Sequence, residues 1–505
     1  MLHDSLDSWA ARQAGGVWAA EARGSITYGE ARAASRRLAA NLWRAGVLPG
    51  ERVGVLSRNR LEFVLLFYAA SRAGVTLVPL NTRLAAEEWA FIVSDAAPRL
   101  LFVERAFVAA LPVTSPETVI FDESFDTWLQ TAEEPEDLPD DEDRDLFQLY
   151  TSATTGRPKG AVLTQRAVCA NIAQIGKATR TSRGERSLVV APLFHAAAVP
   201  SALTPLARGG SLYLQAEFRP ADVVDALERE RIGFAVLVPA MLQACLSDGA
   251  LQSRRPPDTL RLIYYGSSPI AEPTLRSAMA AFNCEFMQSY GMTEATQSAT
   301  FLTHADHLRG LDDRPELLVS AGRAASHTQL RIVDPDDRPL PVGQPGEVVI
   351  RGPQVMRGYW NQPEATTAAL RSGWLHTGDI GTLDDEGYLT IRDRLKDMIV
   401  SGGENVYPRA VEEVLMRHPM VADVAVIGVP DARWGETVKA IVVARPGATP
   451  TAEALIAHCR QHVGGFEVPR SVDFVAELPR NATGKVLKRV LREPYWAQRE
   501  RQVSG

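Results

Sequence analysis

The chain has 505 residues, of which 46% are hydrophobic and 23% charged, with a formal net charge of −7. That length is too great for one hydrophobic core, so two or more domains are expected. The acidic balance leaves no basic excess for neutralising phosphates and excludes the nucleic-acid-binding classes.

In chain order, the opening MLHDSLDSWAARQ has no basic segment followed by an apolar one, so no signal peptide is expected. RVGVLS reads as a strand, NRLEFVLLFYAASRAG as a helix and VTLVPL as a strand. The apolar run within that helix, FVLLFYAA from Phe63, is too short to cross a bilayer. The acidic, proline-containing TAEEPEDLPDDEDRD, Thr131 to Asp145, reads as a solvated linker. DLFQLYTS is a buried-type strand running into the loop ATTGRPKG. SLYLQ, PADVVDALERERI and GFAVLVPAML repeat the strand–helix–strand order, as do LRLIYYGSS, PTLRSAMAAFN and CEFMQSYG. This alternation predicts an α/β fold with mainly parallel strands. HTQLRIVDPDDRPLPVGQPGEVVIRGP has short strands and Pro/Gly turns without a helix, and predicts a β-rich subdomain. A boundary falls near IRDRLKDMIVSGGENVYP, beyond which AVEEVLMRH, VADVAVIGVP, TVKAIVVARPG and TAEALIAHCRQHV form a small α/β unit. The expected division is a large N-terminal domain, 1–395, of α/β subdomains plus the β-rich one, and a small C-terminal α/β domain, 396–505. The four cysteines, Cys169, Cys245, Cys284 and Cys459, show no CxxC spacing. Neither a zinc site nor a disulfide framework is expected, and a reducing cytoplasm fits.

The stretch LYTSATTGRPKGAVLTQ, Leu149 to Gln165, is rich in hydroxyls at Thr151, Ser152, Thr154 and Thr155, and carries Gly156, Lys159 and Gly160. A loop of this kind can turn several N–H groups inward to bind an anion. Lys159 adds a compact positive charge. The spacing differs from GxxxxGK[ST], which disfavours an ordinary P-loop NTPase. YTSATTGRPKG closely resembles the phosphate loop of the adenylate-forming superfamily, which holds acyl-CoA synthetases, carrier-loading adenylation domains and luciferases. The usual form of that motif has glycine where this chain has Ala153. QSYGMTEAT (Gln288–Thr296), GWLHTGDIG (Gly373–Gly381), IRDRLKDMIVSGGENVYP (Ile391–Pro408) and PRNATGKVLK (Pro479–Lys488) resemble its later motifs, in the same order.

The resemblance implies a two-step reaction: a carboxylate attacks the α-phosphate of ATP to give acyl-adenylate and pyrophosphate, and the thiol of coenzyme A then displaces AMP. The phosphate loop would hold ATP through Thr151, Ser152, Ala153, Thr154, Thr155, Gly156 and Lys159. Glu294 resembles the family's Mg²⁺-linked glutamate, and Thr293 would bond the α-phosphate; both follow a strand, where ligands gather in open α/β sheets. Within the same motif Ser289, Gly291 and Met292 would border the nucleotide, and Tyr290 would stack on adenine. Gly266, Ser267 and Ser268 would approach the purine, the glycine closely because it has no side chain. Asp379 would accept both ribose hydroxyls, with Arg394 and Ile391 beside the same sugar. Lys485 would bridge carboxylate and phosphate oxygens during adenylation. Lys396 aligns with the family's hinge, making the C-terminal domain mobile. Gly402 and Gly403 would line the pantetheine tunnel, with Trp434 packed on that arm.

His195 sits where related synthetases gate the acyl pocket, followed by Ala196, Ala197, Ala198, Val199, Ser201 and Ala202. Small side chains leave volume, and no Arg or Lys stands nearby in sequence. A bulky, largely apolar monocarboxylic acid is therefore expected, whether fatty, aromatic or polycyclic. A left-handed backbone at Ala153 would cost ~1–2 kcal/mol, and its methyl would occupy phosphate space. That makes a thioesterification-only enzyme the principal alternative, one that uses CoA and preformed acyl-adenylate from a separate adenylating enzyme. Loading of a carrier protein, a luciferase-like oxygenase and a non-catalytic nucleotide-binding module are the others. A homodimer is left open.

Overall fold

The computed structural model describes residues 1–111, 116–121, 125–151 without 131–137, 157–249, 251, 258–268, 270–480 and 486–496. The chain divides into two compact units. One consists principally of Met1–Ser152, Pro158–Leu330 and Ile350–Leu375, the other principally of Arg331–Val349 and His376–Gly505.

The first unit carries two large sheets. In the seven-stranded sheet the order is Gly358–Tyr359, Lys159–Thr164, Asp145–Thr151, Thr76–Pro79, Arg52–Leu56, Leu100–Val103 and Glu117–Ile120. From Asp145–Thr151 onward these strands are parallel, as the alternation predicts, while the first three are antiparallel to one another. The helix Leu61–Ala73 is buried along nearly its whole length and ends at Gly74, whose φ of 70° closes the C-terminus. Burial on every side explains why this segment reads as one continuous apolar run. The nine-stranded sheet has a parallel centre, running Val17–Glu21, Ser211–Leu214, Arg186–Val189, Phe234–Val236, Leu262–Gly266 and Glu285–Tyr290. Antiparallel strands Thr300–Leu302 and Arg323–Ala324 extend it beyond Glu285–Tyr290. The end of the acidic segment is built into this unit: Asp145 opens a strand and pairs with Arg357 at 3.0 Å.

A four-stranded sheet of Gln329–Val333, Gly346–Arg351, Leu375–Leu383 and Leu389–Arg394, its residues mostly in the second unit, matches the expected β-rich segment. A five-stranded sheet follows, dominated by the long hairpin Val421–Asp431 and Gly435–Ala444. Helices Pro408–Met416 and Ala452–Arg460 cover it through a core of Ile399, Val411, Leu415, Val426, Val438 and Leu455. Among the described residues no helix is long and apolar enough to cross a membrane.

Candidate functional site

The described ends of the phosphate-loop motif belong to two antiparallel strands, Asp145–Thr151 and Lys159–Thr164. Thr151, the last residue of one strand, faces Lys159, the first of the next, and the Thr151 hydroxyl donates to the Lys159 carbonyl at 3.4 Å. Gly160 follows because a Cβ there would lie 2.8 Å from Gln148 Nε2 and 3.1 Å from the Tyr150 ring. Ser152, Ala153, Thr154, Thr155 and Gly156 lie outside the described residues. The two-residue strand Gly358–Tyr359 adds to the outer edge of this strand pair, with Tyr359 opposite Ala161. There Lys159 Nζ stands 5.0 Å from the centroid of the Tyr359 ring. The Tyr359 hydroxyl donates to Glu294 Oε1 at 2.7 Å. The fold thus gathers the loop lysine and the motif glutamate around a tyrosine that sequence reasoning did not single out. No local signal marks it, because its partners are 65 and 200 positions away in the chain.

Glu294 belongs to a short 3₁₀ turn, Thr293–Ala295, reached from the Glu285–Tyr290 strand. Its residue is only 7% exposed. The turn is entered and left through tight geometry. A Cβ on Gly291 would fall 1.8 Å from the Gln297 carbonyl oxygen, so only glycine fits. Thr296 has φ 64° and ψ −58°, and Gln297 N–H donates back to the Ala295 carbonyl at 2.7 Å. This is a γ-turn with positive φ, a strained conformation for a β-branched residue. Buried polar groups hold it. Thr296 Oγ1 donates to the Gln354 carbonyl at 2.7 Å, and the Gln297 amide pairs with Ser201 Oγ at 2.7 and 3.0 Å. Asn171 accepts from Ser298 N–H at 3.2 Å and donates to its carbonyl at 2.8 Å. From Asn171 the network runs through Gln174 to Gln354 and Thr328. Strain of this kind persists only where the surroundings over-determine it, and here it fixes the placement of Thr293 and Glu294.

The parallel strands Leu262–Gly266 and Glu285–Tyr290 bring Gly266 opposite Ser289. A Cβ on Gly266 would come within 2.7 Å of the Ser289 carbonyl oxygen, so this glycine serves strand packing. The left-handed residue is Ser267, with φ 68°. It turns the chain out to the exposed Ser268. Ser289 is buried, while Tyr290 and Met292 are half-buried at the same strand end.

In the proposed acyl stretch, Ala196, Val199, Ser201 and Ala202 are buried and, apart from Ser201, belong to the main core. The small side chains there are matched by close packing; His195 and Ala197 are the half-buried positions. Ala197 N–H donates to His195 Nδ1 at 3.1 Å, which places the proton of the neutral ring on Nε2. Burial, reinforced by the charge of Arg83, holds the His195 imidazole below its ordinary pKa. Arg83 lies in the loop after Thr76–Pro79.

In the second unit Asp379 and Arg394 face each other across two antiparallel strands, Nε to Oδ1 at 2.7 Å. Asp379 is 3% exposed. Ile391 lies on the same strand as Arg394, opposite Gly381. Lys396 sits in the turn that follows, closed by Asp397 N–H to the Arg394 carbonyl at 2.9 Å. Arg492 grips this turn through Asp397 at 2.8 Å and the Lys396 carbonyl at 3.4 Å. Gly402 has φ 62°, and a Cβ on it would meet the Trp434 ring at 2.6 Å; Gly403 has φ 87° and open space. Trp434 lies under two guanidiniums, Arg433 at 4.6 Å and Arg470 at 5.5 Å. Lys485 lies outside the described residues. Its flanks are joined by Leu487 N–H to the Pro479 carbonyl at 2.8 Å.

In the first unit, Lys159 and Glu294 are residue types that suit a magnesium–nucleotide substrate. Among the described residues no cluster of three His, Cys, Asp or Glu side chains forms a cation cage. Mg²⁺ does not need one, since it is commonly held by one or two carboxylates together with substrate phosphates and water. Glu294 is a buried carboxylate of that type, and it and Lys159 both contact Tyr359.

The AMP-binding enzyme family profile matches residues 6–360, and the AMP-binding enzyme C-terminal domain profile matches 410–485. The chain is 40% identical to the feruloyl-CoA synthase of an Amycolatopsis species, over 98% of this chain and 100% of that protein. It is 37% identical to the fatty acid–[acyl-carrier-protein] ligase ScoC of Streptomyces coeruleorubidus, over 95% and 93% of the two chains. The solved o-succinylbenzoate CoA synthetase of Bacillus subtilis, in complex with its acyl-adenylate intermediate, superposes with a TM-score of 0.87 at 30% identity, covering 96% of this chain and 97% of that one. The chain belongs to the AMP-binding, adenylate-forming enzymes and is an acid–thiol ligase of the acyl-CoA synthetase kind, using ATP, Mg²⁺ and coenzyme A.

Proposed function

We propose that this ligase activates a bulky, largely apolar monocarboxylic acid and transfers it to coenzyme A, with the site residues in the roles their motifs imply. The observation that carries the nucleotide half is the convergence of Lys159 and Glu294 on Tyr359. It joins a mobile-arm cation and a buried carboxylate taken from motifs far apart in sequence. Lys159 follows the β- and γ-phosphate oxygens, with Thr151 opposite it on the paired strand. Thr293 donates to the α-phosphate, and Glu294 is the carboxylate that would hold Mg²⁺. Bound Mg²⁺ supplies neutralisation of the charge that develops on the phosphates. Asp379, paired to Arg394 through Oδ1, is the carboxylate that would accept from a vicinal diol. Tyr290, with Gly266 to Ser268, borders the purine.

Lys485 acts in adenylation as the long-armed cation between carboxylate and phosphate. The residues from 396 onward form the mobile domain, turning at Lys396. Gly402, Gly403 and Trp434 take the pantetheine arm of CoA, and Arg433 and Arg470 bring positive charge suited to its phosphates.

The acid is read from His195, Ala196, Ala197 and Val199. A neutral imidazole beside apolar small residues favours an uncharged acyl body. Arg83 is exposed, so its charge is largely solvated and offers a second carboxylate little. A panel of fatty and aromatic monocarboxylates set against dicarboxylates of matched length tests this. At least tenfold higher kcat/KM for the apolar monocarboxylates is expected; preference for a dicarboxylate would refute the assignment.

A further inference from the structure

We propose that Tyr359 is a positioning residue for the metal–nucleotide substrate, using its two ends separately: the hydroxyl fixes the Glu294 carboxylate and the ring face seats the Lys159 ammonium. The proposal rests on the assignment of Glu294 as the carboxylate that holds Mg²⁺.

Three observations carry it. First, the hydroxyl donates to Glu294 Oε1 at 2.7 Å. Among the described residues this is the one side-chain hydrogen bond that carboxylate receives. A neutral donor anchors one carboxylate oxygen without pairing the group with a cation, and so presents the other oxygen in a fixed place. An Arg or Lys in the same position would cancel the charge needed by a cation. Second, Lys159 Nζ lies over the ring at 5.0 Å from its centroid. A ring face attracts an ammonium without donating or accepting a proton, so all three N–H donors stay available to phosphate oxygens. Third, the tyrosine itself is immobilised. Its strand pairs with Lys159–Thr164, and its N–H donates to Thr366 Oγ1 at 2.9 Å. The next residue, Trp360, donates through Nε1 to the Asp95 carbonyl at 3.0 Å and lies 3.2 Å from the Arg52 guanidinium. The main chain of Glu294 is held from the same segment, by Met356 N–H to its carbonyl at 2.8 Å. One short stretch, Met356 to Trp360, therefore sets both ends of the cation–carboxylate pair.

The test measures equilibrium binding by calorimetry in the absence of any acid, so that no turnover occurs. ATP with Mg²⁺, ATP with chelator and AMP are titrated into the wild type and into Tyr359→Phe, Tyr359→Leu and Glu294→Gln. Tyr359→Phe keeps the ring and loses the hydroxyl. It is expected to reduce the Mg²⁺-dependent gain in ATP affinity about tenfold, while metal-free ATP and AMP affinities stay within about twofold. Tyr359→Leu is expected to weaken metal-free ATP as well, because Lys159 loses its seat. Glu294→Gln is expected to abolish the Mg²⁺-dependent gain. If Glu294→Gln loses the gain but Tyr359→Phe behaves as wild type, the inference is overturned and the metal assignment stands. If Glu294→Gln keeps the gain, the metal assignment falls and the inference with it. A Tyr359→Phe loss spread equally over AMP, metal-free ATP and Mg²⁺–ATP would show a purely structural role and also overturn it.

Discussion

Gly402 shows how backbone geometry and side-chain packing meet at one residue. Its φ of 62° excludes most side chains, and the Trp434 ring already occupies the space a Cβ would take. Gly402→Ala is expected to cost about 1–2 kcal/mol of stability in the second unit. It should also raise KM for CoA several-fold while leaving acid-dependent ATP–pyrophosphate exchange near wild type. Thioester and exchange assays on the same preparation would show this split, and an equal loss in both would not fit. Sequence marked Gly402 through its SGGENVYP motif, and the fold shows the packing at that position. Sequence suggested a bare tunnel wall, whereas the fold adds the indole that the glycine must admit. Gly266 is a similar case, needed for the approach of Ser289 on the next strand.

At the scale of elements, the buried polar network behind the Thr296 γ-turn is the feature that chain-order reading could not supply. Asn171, Gln174, Gln297, Thr328 and Gln354 are polar residues from separate segments, and each alone resembles a surface residue. Only the tertiary fold buries and pairs them. By contrast, strands Asp145–Thr151 and Glu285–Tyr290 and the helix Leu61–Ala73 were legible, because apolar runs bounded by Gly and Ser/Thr turns mark them locally. Tyr359 escaped for the same reason as the network: its neighbours are set by strand addition across the sheet. Asn171→Leu would remove both hydrogen bonds to Ser298 and strand the Gln174 amide oxygen. A loss of about 2–3 kcal/mol is expected in urea denaturation, along with reduced affinity for Mg²⁺–ATP as the turn relaxes. Unchanged stability would mean that the network does not hold the turn.

For the whole molecule, the parallel α/β architecture and the small C-terminal unit followed from alternation of local patterns, while the antiparallel additions at the sheet edges did not. The fold also carries a pH dependence. His307 is buried on the helix His304–Asp312, its Nδ1–H donating to the Thr303 carbonyl and its Nε2 accepting from the Tyr265 hydroxyl, both at 2.7 Å. Burial pushes its pKa down to about 4 from 6.5. Below pH 6.5 the unfolded chain takes up a proton that the folded imidazole refuses, so stability is full above pH 6.5 and falls as the pH approaches 4. The loss should be about 3 kcal/mol in the unfolding transition of the first unit. His307→Gln should flatten that slope in denaturation curves recorded at pH 7 and pH 4.5; an unaltered slope would assign it to other groups.

The central claim is that one chain performs both halves of an ATP-dependent ligation. Acid-dependent exchange of pyrophosphate into ATP, measured beside thioester formation from supplied acyl-adenylate and CoA, addresses it most directly. The wild type is expected to show both activities. Lys485→Ala is expected to lose exchange at least a hundredfold while converting the supplied acyl-adenylate within about threefold of wild type. A wild-type enzyme that makes thioester from acyl-adenylate but shows no exchange with any acid in the panel would contradict the account and assign adenylation to another protein.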